Sequence, residues 1–218
     1  MRKISSIDKK ILLKLNDKRF LITGGAGMLG SSFAKQIKKY TKNTKVFNFN
    51  KKQLNVTQKK SFIKIRNLKP DFIIHCAALV NADLCEKKKL SAKKNILEGT
   101  KNVIKFSKLK NSKIFYPQTF LIYGNSKIKV NEKTAPRPLS IYGKYKLKSE
   151  RAIISSQKDS LIVRMGGFFG GEEKDKNFVG KITKHISKLI KLRVNELTIG
   201  DRVWQPSFTN DLAYNSLI

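Results

Sequence analysis

Tyr142 and Lys146 stand four residues apart in Tyr142-Gly143-Lys144-Tyr145-Lys146, a spacing that puts both on one face of a helix. A phenol ordinarily titrates near ~10, but an adjacent ammonium and a helix N-terminus both stabilise the phenolate. Tyr142 is then suited to give a proton to a ketone oxygen as hydride reaches the carbon, while Lys146 tunes it and holds a nicotinamide ribose. With 39 Lys and six Tyr in 218 residues, about one Tyr-x-x-x-Lys pair arises by chance, so the pair draws its meaning from its surroundings. Thr119, in the turn Gln118-Thr119 after an apolar run, offers a hydroxyl either to the same ketone oxygen or to a turn hydrogen bond.

A second constellation lies upstream. Thr23-Gly24-Gly25-Ala26-Gly27-Met28-Leu29-Gly30 follows the apolar run Phe20-Leu21-Ile22 and precedes a helical pattern. Glycines let a backbone turn sharply and approach a pyrophosphate, and the free N–H groups opening the next helix point at the anion. The expected ligand is a dinucleotide. The string satisfies both Gly25/Gly27/Gly30 and Gly24/Gly27/Gly30 spacings, so spacing alone does not choose between them.

After the second apolar run comes Asn50-Lys51-Lys52, where folds that prefer NAD place an acid on the adenosine ribose. An amide beside two ammonium groups accepts a 2′-phosphate, which favours NADPH and leaves NADH as an option; the alternative is two more surface lysines. The net charge is +32, carried by 39 Lys and 8 Arg spread along the chain. Nucleic-acid readers concentrate Arg and aromatics on one stripe, so no specific nucleic-acid partner is expected. The field still draws in anions, and no Asp or Glu occurs from Lys18 through Pro70.

The elements that must position these residues recur in a strand-helix rhythm. Strands are expected at Phe20–Ile22, Val46–Phe47, Phe72–Ile74, Lys113–Tyr116 and Leu161–Val163, and helices over 28–40, 58–68, 91–109 and 142–156. That alternation predicts an α/β fold, a Rossmann-type doubly wound parallel sheet with ligands beyond the strands' carboxyl ends. Domain boundaries are expected at 1–16 for an N-terminal extension, 17–165 for the core and 166–218 for a small, incomplete C-terminal substrate lobe. No apolar run reaches 18 residues and no signal-peptide core is evident, so a cytoplasmic chain without a membrane partner is expected. Cys76 and Cys85 fit no zinc or redox spacing; buried thiols and no metal are expected. His75 reads as a core or turn residue, His185 as solvated, and Arg164 either as a partner in a core ion pair, the favoured reading, or as a contact to a diphosphate. Trp204 offers a flat ring either to a base or sugar or to lobe packing.

Taken together, the chain resembles the extended short-chain dehydrogenase/reductase family, in its dTDP-4-dehydrorhamnose reductase branch. The likeness rests on Met28-Leu29-Gly30, on Pro70-Asp71 running through Phe72-Ile73-Ile74 into Ala77-Ala78, on Asn95, on Pro138 to Glu150 with Tyr142 and Lys146, and on Val163-Arg164. Asn177-Phe178-Val179, Asp201 to Ser207 and Asp211-Leu212-Ala213 are similar to the branch's substrate-lobe signatures. The resemblance implies catalysis by Tyr142, Lys146 and Thr119. It implies cofactor contacts at Gly24, Gly27, Met28, Leu29, Gly30, Asn50, Lys51, Asn55, Ala77, Ala78 and Lys146. It places substrate contacts at Asn95, Asn177, Arg202 and Trp204. The implied reaction is reduction of a 4-keto-6-deoxy nucleotide-sugar by NADPH, with a homodimer allowed.

The chain departs from that pattern in three ways. Gln118-Thr119-Phe120-Leu121 stands where the branch has Ser-Thr-Asp-Tyr, keeping the hydroxyl and losing an acid and a phenol. Asn50, Gln53, Asn55 and Gln58 replace acids by amides. The sequence stops at Ile218 within an apparent helix, so a truncated lobe is expected. An epimerase or dehydratase that retains NAD, a noncatalytic binding subunit like that of methionine adenosyltransferase, and a polyanion-binding protein remain as rivals. They differ in copurified NAD, in NADP binding without turnover, and in steep salt dependence on nucleic acid, respectively.

Overall fold

In a computed structural model of the chain, residues 4–125, 129–157, 159–171, 175, 177–200 and 205–218 are described. Five strands, β1 (Arg19–Thr23), β2 (Lys45–Phe49), β3 (Phe72–His75), β4 (Lys113–Thr119) and β5 (Leu161–Met165), form one sheet in the order β2-β1-β3-β4-β5. Every pairing is parallel, as in Leu21 opposite Phe47 and Ile73, and Gln118 opposite Arg164. The apolar runs thus fall on the sheet where the sequence predicts.

A parallel sheet buried on both faces needs apolar residues of both parities, and β1 supplies them. Leu21, Ile73, Ile114 and Tyr116 pack on one face with Val103, Ile104 and Phe106 of α6 (Gly99–Lys110) and Ile153 of α7 (Ile141–Ser156). Phe20, Ile22, Ile74 and Phe115 pack on the other with Leu29, Phe33 and Ile37 of α2 (Met28–Tyr40) and Ala213 of the last helix. Two cores back to back make this a doubly wound sheet.

The crossovers are less regular than the sequence suggests. Between β2 and β3 the α-helix is only α3 (Lys59–Ile63). Ile65, Arg66 and Leu68 continue it with tighter bonds to Phe62, Ile63 and Ile65 carbonyls, and Pro70 then forces the chain extended. The expected helix over 91–109 is compound. It begins as α4 (Ala82–Lys87) and α5 (Lys89–Ala92), widens into a π-turn over Lys93–Glu98, and resumes as α6. After β4, a 3-10 turn (Phe120–Tyr123) leads toward α7.

Beyond β5 the chain is sparse. β6 (Gly167–Phe169) pairs in parallel with β7 (Pro206–Phe208), and α8 (Phe178–Lys191) lies between them with no buried residue. The last helix, α9 (Thr209–Asn215), closes with the Ser216 N–H on the Leu212 carbonyl, so it ends before Ile218 rather than running through it. The leading residues form α1 (Ser6–Leu13), capped by the Ser5 hydroxyl and joined to α9 by the Tyr214 hydroxyl donating to Asp8 at 3.0 Å. Among the described residues no helix is long and apolar enough to cross a membrane.

Candidate active site

A cleft of about 1250 Å³ opens at the carboxyl ends of the strands, where the chain turns one way to β2 and the other way to β3. Its floor is the glycine turn. Gly24 has φ +70°, and a Cβ there would sit 2.7 Å from the Ala77 nitrogen on the neighbouring strand end. A Cβ at Gly30 would meet the Gly24 carbonyl at 2.7 Å, so the turn folds directly against the start of α2. Gly27 is the residue before α2 and brings no side chain to cap it, so the first-turn N–H groups of Met28, Leu29 and Gly30, residues that line the cleft, have no side-chain cap. Gly24 and Gly30 thus pack backbone against backbone. Gly25 instead faces β2, where a Cβ would collide with the Asn48 side chain. This cradle fits a dinucleotide pyrophosphate: it has donors, no blocking side chain, and the positive end of a 13-residue helix.

The far wall carries the proton-transfer candidates. Thr119, Tyr142 and Lys146 line the same cleft as Gly24, Gly27, Met28, Leu29 and Gly30. Asn50, Lys51, Asn55, Ala77, Ala78, Asn95 and Asn177 line it too, while Arg202 and Trp204 lie outside the described residues. Tyr142 and Lys146 occupy adjacent turns at the start of α7, whose N-cap Ser140 accepts the Gly143 N–H at 3.0 Å. Glu86 also accepts the Ile141 N–H, fixing the helix entry to α4.

Lys146 is 3% exposed. Its ammonium donates to the Pro117 carbonyl at 2.5 Å and lies 3.7 Å from the centre of the Tyr116 ring. Burial pulls its pKa down to about 7, against the opposing pull of Cys76 and Glu150. Tyr142 differs from the sequence expectation of a lowered phenol. Burial of the phenol raises its pKa well above the ordinary value, with the Cys85 thiol adding to that, while the Lys146 ammonium bonds Pro117 and lies over the Tyr116 ring. Tyr142 is therefore held protonated, the state a proton donor requires. Burial likewise pushes the Cys76 thiol up to about 12, so it is inert beside the site.

The amides after β2 build the turn as well as the wall. The Asn50 side-chain oxygen accepts the N–H groups of Lys52 at 2.8 Å and Gln53 at 3.1 Å, and the Asn55 oxygen accepts from Thr57. Asn95 lies inside the π-turn, a widening often found at functional sites, with its amide on the Ser91 carbonyl at 2.8 Å. Asn177 donates to the Phe168 carbonyl, tying the start of α8 to β6.

His75 is a structural strand end, as its sequence context suggests. The Thr100 hydroxyl spends its proton on the Ile96 carbonyl at 2.6 Å, so His75 Nε2 must donate to Thr100 and Nδ1 must accept from Thr23 at 2.7 Å. A neutral ring satisfies both bonds, and burial draws its pKa down to about 3, with the Lys146 charge adding to that. The unfolded ring titrates near ~6.5, so as pH falls below that value only the unfolded chain takes the proton. Stability is thereby lost by about 1.4 kcal/mol per pH unit down toward the folded pKa. Thermal melts between pH 7 and 4 are expected to show this slope, flattened in His75→Gln; equal slopes would contradict it.

Arg164 and Glu150 form the core ion pair that the sequence suggests, at 2.5 Å. Sequence reasoning missed Gln118, Phe168 and the Leu79-Val80 wall of the cleft. Their only signal was position: Gln118 at the end of β4, Phe168 within the short strand β6, and Leu79-Val80 in the loop after β3.

Comparison with known proteins finds the same family and fold elsewhere. The family described as the RmlD substrate binding domain matches residues 18–217. A dTDP-4-dehydrorhamnose reductase of Aggregatibacter actinomycetemcomitans is 30% identical over 197 residues, 89% of this chain and 65% of its own length. The crystal structure of a dTDP-4-dehydrorhamnose reductase from Clostridium acetobutylicum superposes with TM-score 0.80 at 30% identity, over 91% of this chain and 69% of that chain. That of the Bacillus anthracis reductase in complex with NADP gives TM-score 0.78 at 26% identity, over 91% and 69%. The chain thus spans 65% of the length of the Aggregatibacter enzyme.

Proposed function

We propose that this chain, which belongs to the RmlD substrate binding domain family, reduces the C4 ketone of a 4-keto-6-deoxy nucleotide-sugar such as dTDP-4-dehydrorhamnose, with NADPH as reductant. The observation that carries the reading is a single cleft lined both by the glycine cradle and by Thr119, Tyr142 and Lys146. Residues 17–165 hold the cofactor, 166–218 contribute to the sugar side, and the setting is the cytoplasm.

When bound, NADPH supplies a hydride to the carbonyl carbon. Tyr142 gives its hydroxyl proton to the carbonyl oxygen, and Thr119 donates a hydrogen bond to the same oxygen. Hydride on carbon and proton on oxygen make the alcohol, and the Tyr142 phenolate recovers its proton from solvent. Lys146, which lines the cleft beside Tyr142 in α7, would hold the nicotinamide ribose. The N–H groups of Met28, Leu29 and Gly30 hold the pyrophosphate. Asn95 and Asn177 orient the sugar.

Lys51, an exposed residue lining the cleft, would supply a counter-charge to the cofactor's 2′-phosphate. Exposed ion pairs contribute about 0.6 kcal/mol, so Lys51→Ala is expected to weaken NADPH about threefold and NADH hardly at all. The difference should shrink at high salt. Equal losses for both cofactors would overturn this assignment.

The reading itself is tested by following NADPH absorbance with dTDP-4-dehydrorhamnose and the purified chain. Enzyme-dependent consumption supports it. Binding of NADPH without consumption would contradict it.

A further inference from the structure

The geometry points to Gln118 as a positioning residue that holds Thr119 and Lys146 in register, an inference that rests on the reductase reading of this cleft. Gln118 is 1% exposed and each end of its carboxamide is engaged. Its oxygen accepts the Thr119 N–H at 2.9 Å. Its nitrogen donates to the Lys146 carbonyl at 3.1 Å and to the Glu150 carboxylate at 2.5 Å. The preceding residue completes the grip, because the Pro117 carbonyl accepts the Lys146 ammonium.

The end of β4 therefore holds Lys146 twice, by its backbone and by its side chain. The amide cannot flip, since Glu150 is itself fixed by Arg164 and needs a donor facing it. Thr119 sits on a strand end and Lys146 on a helix, and Gln118 is the side chain bonded to both. A sub-ångström shift between proton-relay groups is felt as rate rather than as affinity.

Two substitutions test this. Gln118→Met keeps the bulk and removes both polar ends; Gln118→Glu keeps an acceptor for Thr119 and sets an oxygen against Glu150 and the Lys146 carbonyl. Both are expected to lower kcat at least tenfold for the folded fraction, with the NADPH Kd within twofold and the sugar KM little changed. A purely structural role would lower the melting temperature and leave kcat of the folded enzyme intact, which would overturn the proposal.

A second readout does not need turnover. The Lys146 ammonium is titrated by NMR of lysine-labelled protein, where the titratable groups facing it are His75, Cys76, Tyr116 and Glu150. Loosening the Pro117 carbonyl removes an acceptor of the charged form, so the midpoint should fall by about half a pH unit or more in Gln118→Met. If the wild type does not reduce the sugar, the reductase reading fails and this titration still decides the role of Gln118. An unmoved midpoint would overturn it.

Discussion

Replacing Tyr142 by phenylalanine is expected to lower kcat by about 10²–10⁴-fold while leaving NADPH affinity within about twofold. The loss is of one hydroxyl. The ring keeps its place against Cys85, Ala92 and Ile96, and the helix entry is held independently by Ser140 and Glu86. The raised phenol pKa makes the expected pH behaviour specific. Tyr142 stays protonated through neutral pH, so its own ionisation should not limit the rate there. Lys146, drawn down to about 7, should lose its proton as pH rises through neutrality unless bound cofactor holds it charged. Steady-state kinetics of Tyr142→Phe with a cofactor titration check this, and an unchanged kcat would remove Tyr142 from the reaction.

The second large effect is on stability. Glu150 is 3% exposed and pairs with Arg164, whose own pKa is raised by its hydrogen bond to that carboxylate. Arg164→Met leaves a buried carboxylate with only the Gln118 amide, and removing one partner of a buried pair costs about 3 kcal/mol. For a chain of this size that is roughly 6–12 °C in melting temperature. The Arg164 guanidinium also reaches the Tyr123 hydroxyl at 2.8 Å and the Glu132 carbonyl at 3.1 Å, so the loop after β4 should loosen as well. Adding Glu150→Gln should recover part of the loss by removing the stranded charge. A drop under about 3 °C in the single variant would show that solvent screens the pair.

Much of this architecture was legible in the sequence because parallel strands buried on both faces are short, unbroken apolar runs. Phe20-Leu21-Ile22 and Phe72-Ile73-Ile74 are such runs, and the glycine turn follows the first of them. The cleft residues were legible for the same reason, since ligands meet this fold where strands end. What the sequence concealed were features decided by tertiary contact. The π-turn around Asn95 has no local signature, and α3 is shortened by the tight bonds that precede Pro70. The direction of the Tyr142 shift was hidden too. Spacing points to Lys146, whereas burial of the phenol against Cys85, Ala92 and Ile96, residues distant in sequence, sets the direction. Gln118 escaped notice because a lone amide in a strand gives no sign that two catalytic candidates depend on it.

The central claim is that hydride passes to the C4 carbonyl of a nucleotide-sugar in this cleft. The most direct measurement uses NADPH deuterated at the transferring position, dTDP-4-dehydrorhamnose and the wild-type chain, with the product read by NMR. The account predicts one deuterium at C4 of the sugar for each NADPH oxidised. Deuterium left on the cofactor, or lost to water, would contradict it.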